Sequence, residues 1–198
     1  MQTITRDYKV FEFSELSEEA KEKVIQDNYD ININYEWWEF VIEGVKERLL
    51  KNYGLEFDKV FFDLEYRYRH LYFNKIWIEN IKQFIKGFKR DNKIKDVNFS
   101  YKINKAINQD EITFNFENSY YGGGDGKTIL SYNDYTQNAV TDKYKFLENL
   151  QEWFNEEIVD KMLSELTQEY DYLTSKEAII ESIEANDFKF LENGEFFN

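Results

Sequence analysis

The spacing of hydrophobic residues changes along this chain, and this constrains the fold more than any other sequence feature. Around residues 37–53 and 142–169, apolar side chains recur at the three- and four-residue intervals of an amphipathic helix. In residues 57–73 and 97–116, aromatic and β-branched residues alternate with polar ones, as they do in strands. This mixture predicts an α+β fold, in which a short antiparallel sheet packs with about four to five helices, including one long C-terminal helix. A length of 198 residues is compatible with a single domain over 1–198.

Helix boundaries are predicted from capping residues and glycines, because the chain contains no proline. Ser17 predicts the start of a first helix that runs to about Asn28. Gly54 predicts the end of a second helix, whose apolar face consists of Trp37, Phe40, Val41, Val45, Leu49 and Tyr53. The long helix over 142–169 has an apolar face of Leu147, Leu150, Phe154, Ile158, Met162 and Leu166.

The C-terminal end contains two further local signals. Thr174 and Glu177 have the spacing of a capping box, which predicts a last helix through about Ala185. Asn193 and Gly194 predict the turn of a terminal hairpin.

The middle of the chain is predicted to combine a helix with a strand pair. Helical spacing resumes in the series Ile76, Trp77, Ile81, Phe84, Ile85 and Phe88. Alternation then returns in Val97, Phe99, Tyr101 and Ile103, which we expect to pair with the alternating residues Ile112, Phe114 and Phe116.

Composition argues against catalysis. The chain has no cysteine, which excludes disulfides, thiolate metal sites and cysteine nucleophiles. His70 is the single histidine, so two-histidine metal motifs are excluded as well. No apolar run approaches the roughly 20 residues that cross a bilayer, and no signal peptide is evident. We therefore expect an intracellular protein that is not an enzyme, contacts no membrane and needs no cofactor or metal.

A glycine-rich segment at 120–127 predicts a loop or tight turn. It ends in Gly126, Lys127 and Thr128, like a phosphate-binding loop, but Tyr121 stands where that motif requires its first glycine. A nucleotide-binding loop is therefore an alternative rather than the preferred interpretation. Asp125 and Lys127 are candidates for contact with a partner.

The charge of −14 is distributed unevenly along the chain. Residues 67–105 contain 11 Lys and Arg against 3 Asp and Glu, so this segment carries +8 and the remainder carries −22. The acidic majority favours a partner with a basic surface over general affinity for nucleic acid. The basic segment is open to two interpretations: it binds RNA or an acidic protein, or it compensates the acidic helices of the same chain or of a second copy in a homodimer. Its candidate residues are Arg67, Arg69, Lys82, Lys86, Lys89 and Arg90.

Carboxylates are also arranged in rows along two predicted helices. The longer row is Glu148, Glu152, Glu156 and Asp160, and the shorter is Glu39, Glu43 and Glu47. Four residues along a helix rise about 6 Å, so such rows resemble a sparse phosphate backbone able to enter an Arg- and Lys-lined groove. A solvated helix face is the alternative interpretation. Trp38, adjacent to Trp37, is a candidate aromatic anchor at an interface.

Both ends of the chain resemble a broad group of phage-encoded proteins. The resemblance rests on residues 13–23 (FSELSEEAKEK), 35–39 (YEWWE) and 169–186 (EYDYLTSKEAIIESIEAN). The middle differs, because residues 64–73 stand where the group commonly has a Ser-Gln-Gly-Asp-Gly-type segment. Some members of the group carry an antitoxin-like label, and some similar small phage proteins are anti-CRISPRs.

The resemblance implies a phage protein in the cytoplasm of a bacterial host. Combined with the carboxylate rows, it predicts an anti-CRISPR inhibitor that mimics nucleic acid and binds a CRISPR-associated nuclease or its guide-RNA complex. The alternatives are an antitoxin-like protein that masks a basic toxin and a protein that sequesters a nucleotide.

Overall fold

The protein has an α+β fold in a computed structural model, as the sequence predicts. The structure describes residues 7–64, 69–95, 101, 105, 112–121, 125–134 and 149–197, and it describes only the backbone of 112–121 and 125–134. The chain divides into two compact units. We call Met1–Glu39 together with Gln168–Asn198 the terminal unit, and Phe40–Thr167 the central unit.

The terminal unit brings the two ends of the chain together. A short 3-10 helix (Phe13–Glu15) precedes α1 (Glu18–Asp27), which packs with the helix Lys176–Ala185, named α5 below. Ser17 caps α1 by accepting a hydrogen bond from the Ala20 amide, as predicted. The core of the unit consists of Phe13, Leu16, Ala20, Val24, Ile179, Ile183 and Phe190. The segments that carry the phage resemblance therefore supply much of one hydrophobic core.

The C-terminal signals are confirmed with one shift of position. The cap of α5 is Ser175, whose side chain accepts from the Ala178 amide, whereas the Thr174 hydroxyl donates to the Tyr170 carbonyl. The prediction of Thr174 as the cap was wrong by one residue, because either hydroxyl satisfies the capping pattern. The terminal hairpin is confirmed by the bridge between Phe190 and Phe196. Gly194 has φ +80, and a Cβ atom there would lie 2.9 Å from the Ala20 carbonyl oxygen.

In the central unit, a long hairpin follows the helix α2 (Glu39–Tyr53). Its strands are β1 (Leu55–Phe57) paired with β4 (Ile76–Ile78), and β2 (Val60–Asp63) paired with β3 (His70–Phe73). Backbone hydrogen bonds at 58–59 and 74–75 connect the two ladders. Ile76 and Trp77 are therefore in a strand, and the helix predicted for them was wrong. Their spacing to Ile81 is compatible with a helix, but pairing with β1 determines their conformation.

A second hairpin pairs β5 (Ile112–Tyr121) with β6 (Asp125–Asp134). An antiparallel arrangement was predicted, but β6 was not foreseen as a strand, and the expected pairing of β5 with residues 97–103 stays a prediction. Of that earlier segment only Tyr101 lies within the described residues. Tyr120, Tyr121 and Asp125–Lys127 belong to strands, so the predicted loop narrows to 122–124, which lie outside the described residues. Lys127 and Thr128 thus lie in a strand, unlike the helix start that a phosphate-binding loop requires.

Helix α3 (Ile81–Asp91) packs against the end of α2. Gly54, with φ +60, ends α2 as predicted. Gly87 of α3 lies against Tyr53, and a Cβ atom there would come within 2.9 Å of the Asn52 carbonyl oxygen. Phe40 departs from the predicted apolar face, because its side chain is 84% exposed. Its position on a helical wheel is compatible with burial, but none of the described residues covers it.

The long C-terminal helix, α4, covers 149–173. It is α-helical at 149–154, π-helical over Asn155–Asp160 and α-helical again over Lys161–Leu173. Its predicted apolar face is confirmed for the five described members, which are at most 2% exposed: Leu150, Phe154, Ile158, Met162 and Leu166. Leu147 and residues 142–148 lie outside the described residues.

The π-helical turn explains how a strict four-residue repeat stays buried. An α-helix has 3.6 residues per turn, so each four-residue step passes a full turn by about 40°. The four steps from Leu150 to Leu166 would accumulate a drift of about 160°. A π-helix contains more residues per turn because its hydrogen bonds run from i to i+5. The π-helical segment offsets part of the drift and keeps the repeat on the core.

Candidate functional site

The exposed face of α4 carries the described part of the longer carboxylate row. Glu152, Glu156 and Asp160 are all exposed. They repeat every four residues, two positions after the buried series, which places them about 200° around the helix from it. We call these three residues the α4 acidic row. Glu148, the fourth predicted member, lies outside the described residues.

The neighbouring charges on α4 are engaged within the protein. Glu157 is half-buried and pairs with Lys161. Glu165 receives two hydrogen bonds from one guanidinium nitrogen of Arg48, at 2.6 and 2.8 Å, which joins α4 to α2. These pairs leave the α4 acidic row as the outward-facing charge of this segment.

Helix α2 presents a second acidic surface. Glu39, Glu43 and Glu47 are exposed along it, as expected for a row at four-residue spacing. Phe40 and Gly44 share this side of the helix, and a Cβ atom on Gly44 would have no atom within 4 Å. The exposed Phe40 is a feature that sequence reasoning missed, since its spacing matched the buried face.

Trp38 is half-buried rather than an exposed anchor. Trp37 is buried, and the two rings contact edge to face with centroids 5.8 Å apart. Trp37 also contacts the Tyr170 ring at 5.7 Å. The Tyr170 hydroxyl lies 3.2 Å from the Tyr29 hydroxyl, and this hydrogen bond raises the pKa of Tyr170 to about 12. The tryptophan pair therefore takes part in an aromatic cluster of the terminal unit.

The basic candidates gather on α3. Lys82, Lys86 and Lys93 are exposed at and just beyond this helix, and we call them the α3 basic face. Lys89 is half-buried. Arg90 is 5.2 Å from the centre of the Tyr53 ring and donates from Nε to Asp91 at 2.7 Å. Arg90 thus pairs with a carboxylate of the basic segment itself, and the expected compensation of the acidic helices stays a prediction.

Asp91 connects three aromatic or basic side chains. Burial by itself raises the pKa of this carboxyl, but hydrogen bonds from Arg90, Trp153 and Tyr53 outweigh burial and lower it. Burial and the same carboxylate raise the pKa of Tyr53 to about 12. The hydrogen bond to Asp91 also raises the pKa of Arg90. This network fixes the end of α3 and is structural in character.

The remaining candidates are placed as follows. Asp125 is the first residue of β6, and its side chain lies outside what the structure describes. Arg69 is exposed just before β3, and Arg67 lies outside the described residues. The His70 ring stacks on Tyr72 in β3 with centroids 6.2 Å apart.

Charge is divided unequally between the units. The terminal unit contains 6 Lys and Arg against 18 Asp and Glu, a net charge of −12, whereas the central unit contains 19 against 21, a net charge of −2. The central unit is therefore almost neutral. Within it, carboxylates lie outward on α4 and lysines lie outward on α3, whereas α2 exposes Lys46 and Lys51 as well as Glu43 and Glu47.

A search for metal-binding groups covers only the described part of the chain. There, no three His, Asp or Glu side chains are placed to hold a metal ion. Among the same residues, no helix is long and apolar enough to cross a membrane.

The fold and these surfaces define an acidic α+β protein with separate carboxylate and lysine faces on a near-neutral central unit. Comparison with protein families, with curated proteins and with solved structures gives no match to this chain. The similarity to phage proteins stays a prediction from the sequence.

Proposed function

We propose that the protein is a phage counter-defence inhibitor of the anti-CRISPR type. In this proposal it binds a CRISPR-associated nuclease, or its complex with guide RNA, in the cytoplasm of the host. It acts by occupying a surface rather than by catalysis. The observation that carries the proposal is the segregation of charge in the central unit, where an overall charge of −2 coexists with a continuous outward row of carboxylates.

The α4 acidic row is suited to a groove that normally holds nucleic acid. Neighbouring carboxylates rise by about 6 Å along the helix, so the row offers negative charge at roughly every second phosphate position of a nucleic-acid strand. The π-helical turn supports this function, because it limits the winding of the row around α4 as it does for the buried repeat. Lysine and arginine side chains in the partner's groove would pair with the row and lose access to DNA.

Helix α2 supplies the apolar contact that a purely electrostatic interface lacks. Phe40 is 84% exposed and lies beside Glu43, and Gly44 leaves the helix backbone accessible. Aromatic side chains that become buried on binding contribute a large share of interface energy. We propose that a pocket with a basic rim on the partner receives Phe40.

The test is inhibition of DNA cleavage by a panel of purified CRISPR nucleases, each loaded with guide RNA. The wild-type protein should inhibit at least one nuclease at a stoichiometric ratio. The variant Glu152→Lys, Glu156→Lys, Asp160→Lys should lose inhibition, because each substitution replaces attraction by repulsion. The remaining binding should depend less on salt.

The matched control reverses three exposed carboxylates of α5, as Glu177→Lys, Glu181→Lys, Glu184→Lys. This control changes the net charge of the protein by the same amount as the α4 variant but leaves the α4 acidic row intact. Inhibition should persist in the control. If both variants lost inhibition equally, the effect would come from net charge rather than from the α4 acidic row. If the wild type inhibited no nuclease in the panel, the proposed function would be overturned.

A further inference from the structure

Among the residues that the structure describes, the α3 basic face has no carboxylate partner. The chain has 39 Asp and Glu residues, yet the ammonium groups of Lys82, Lys86 and Lys93 form no ion pair with any residue that the structure describes. Two described carboxylates close in sequence are engaged elsewhere, while Asp96 lies outside the described residues. Asp91 accepts from Arg90 and Trp153, and Glu79 accepts from the Trp77 indole at 3.4 Å.

The helix that carries these lysines is held rigidly from behind. Phe84, Ile85 and Phe88 are at most 1% exposed, and Gly87 lies against Tyr53. The Asn80 side chain caps the helix by accepting from the Gln83 amide at 3.1 Å. The backbone that carries Lys82 and Lys86 is therefore held in place, with these two residues about 6 Å apart along the helix and Lys93 just beyond its end.

Lys93 extends the α3 basic face just beyond the end of the helix. It has φ +55, the left-handed conformation that glycine or asparagine usually supplies after a helix. A lysine adopts this conformation with strain. Asp187 has a similar φ of +54 after α5, so this conformation by itself does not select a positive charge.

We infer that the α3 basic face binds the phosphate backbone of RNA. Lysines on one exposed helix face contact phosphates without reading bases, so the interaction depends on charge and geometry. This inference deepens the proposed function and rests on it for the source of the RNA. A nuclease with bound guide RNA presents both a basic groove and exposed phosphates, which complement the two faces of the central unit.

The experiment measures binding of a fluorescent single-stranded RNA of about 20 nucleotides, in low salt and at physiological salt. The variant Lys82→Glu, Lys86→Glu should weaken binding by about tenfold or more and flatten its salt dependence. Its fold should be retained, because both side chains are exposed and a carboxylate at position 82, in the first turn of α3, interacts favourably with the helix dipole. The matched control Lys9→Glu, Lys23→Glu, Lys59→Glu should bind more tightly than the α3 variant despite its larger change in charge.

A second variant separates binding from folding. Lys93→Gly should raise the unfolding midpoint, since it relieves the left-handed lysine, and should weaken RNA binding by a factor of about two to five. Sedimentation of the same proteins tests whether a second copy occupies the face. The inference would be overturned if the wild type did not bind RNA or if both α3 variants bound it unchanged. It would also be overturned if the α3 variants lost a dimer without losing RNA binding.

RNA binding and nuclease inhibition fail separately. Binding that depends on Lys82 and Lys86 without inhibition of any nuclease would support this inference and contradict the proposed function. Inhibition of a nuclease without RNA binding would support the proposed function and contradict this inference.

Discussion

The indole Nε1 of Trp153 donates a hydrogen bond to Oδ2 of Asp91 at 3.1 Å, which joins α4 to the last residue of α3. The Trp153 ring also contacts Tyr53 and Phe88, each with centroids 5.3 Å apart. One side chain thereby connects the helix with the acidic row to the helix with the basic face. The two charged faces are positioned by the same buried contact.

Replacing Asp91 should destabilise the central unit. In Asp91→Ala, the Trp153 indole and the Tyr53 hydroxyl lose an acceptor in a largely buried place, which we expect to cost about 1–3 kcal/mol of unfolding free energy. Urea unfolding monitored by tryptophan fluorescence measures this change. Asp160→Ala, on the exposed face of α4, is the control and should change stability by less than about 0.5 kcal/mol. A small effect at position 91 would contradict the structural importance of the network.

Stability should fall at alkaline pH because of Tyr53. The pKa of Tyr53 is about 12 in the folded protein against an ordinary value of 10.0, so the folded state holds this proton more tightly. Its contribution is complete below pH 10 and is lost as the pH rises towards 12, by about 2 kcal/mol. Urea unfolding at pH 9, 10 and 11 should show the decline. The variant Tyr53→Phe should show a smaller decline in stability with pH. The decline that remains is expected from Tyr170, whose pKa is also raised.

Two helical glycines should respond oppositely to alanine. Gly44→Ala should stabilise the protein by about 1 kcal/mol, because alanine favours the helix and its Cβ would meet no atom within 4 Å. Gly87→Ala should destabilise it, since the new Cβ would overlap the Tyr53 ring and lie 2.9 Å from the Asn52 carbonyl oxygen. Thermal unfolding of both variants provides the measurement. Equal effects of the two substitutions would contradict the packing of α3 against α2.

The helix ends and buried faces were predictable because their signals are local. Ser17 and Gly54 fix helix ends by side-chain capping and by a positive φ, and both act within a few residues. The alternating strands were also recognisable. The pairing of β5 with β6 was not recognisable, because the choice of strand partner depends on tertiary contacts that no local pattern encodes.

The candidate surfaces were predictable only in part. The spacing of Glu152, Glu156 and Asp160 places them together on any helix. Whether a residue is covered is decided by other segments, which is why Phe40 matched a buried face and lies exposed. The π-helical turn also had a sequence signal, since a strict four-residue repeat over five buried positions exceeds the period of an α-helix.

Deleting one residue in the π-helical turn should be tolerated. Removing Asn155 changes the apolar spacing after Phe154 from four residues to three, which brings the buried series back to the average period of an α-helix. Unfolding free energy should change by less than about 1 kcal/mol, and circular dichroism should show undiminished helix. Deleting Ser164 from the regular part of α4 is the control. It rotates every later side chain by about 100°, which removes Leu166 from the core and should cost more than about 3 kcal/mol. If both deletions were equally damaging, the π-helical turn would have no function in aligning the repeat, and the α4 acidic row would not depend on it.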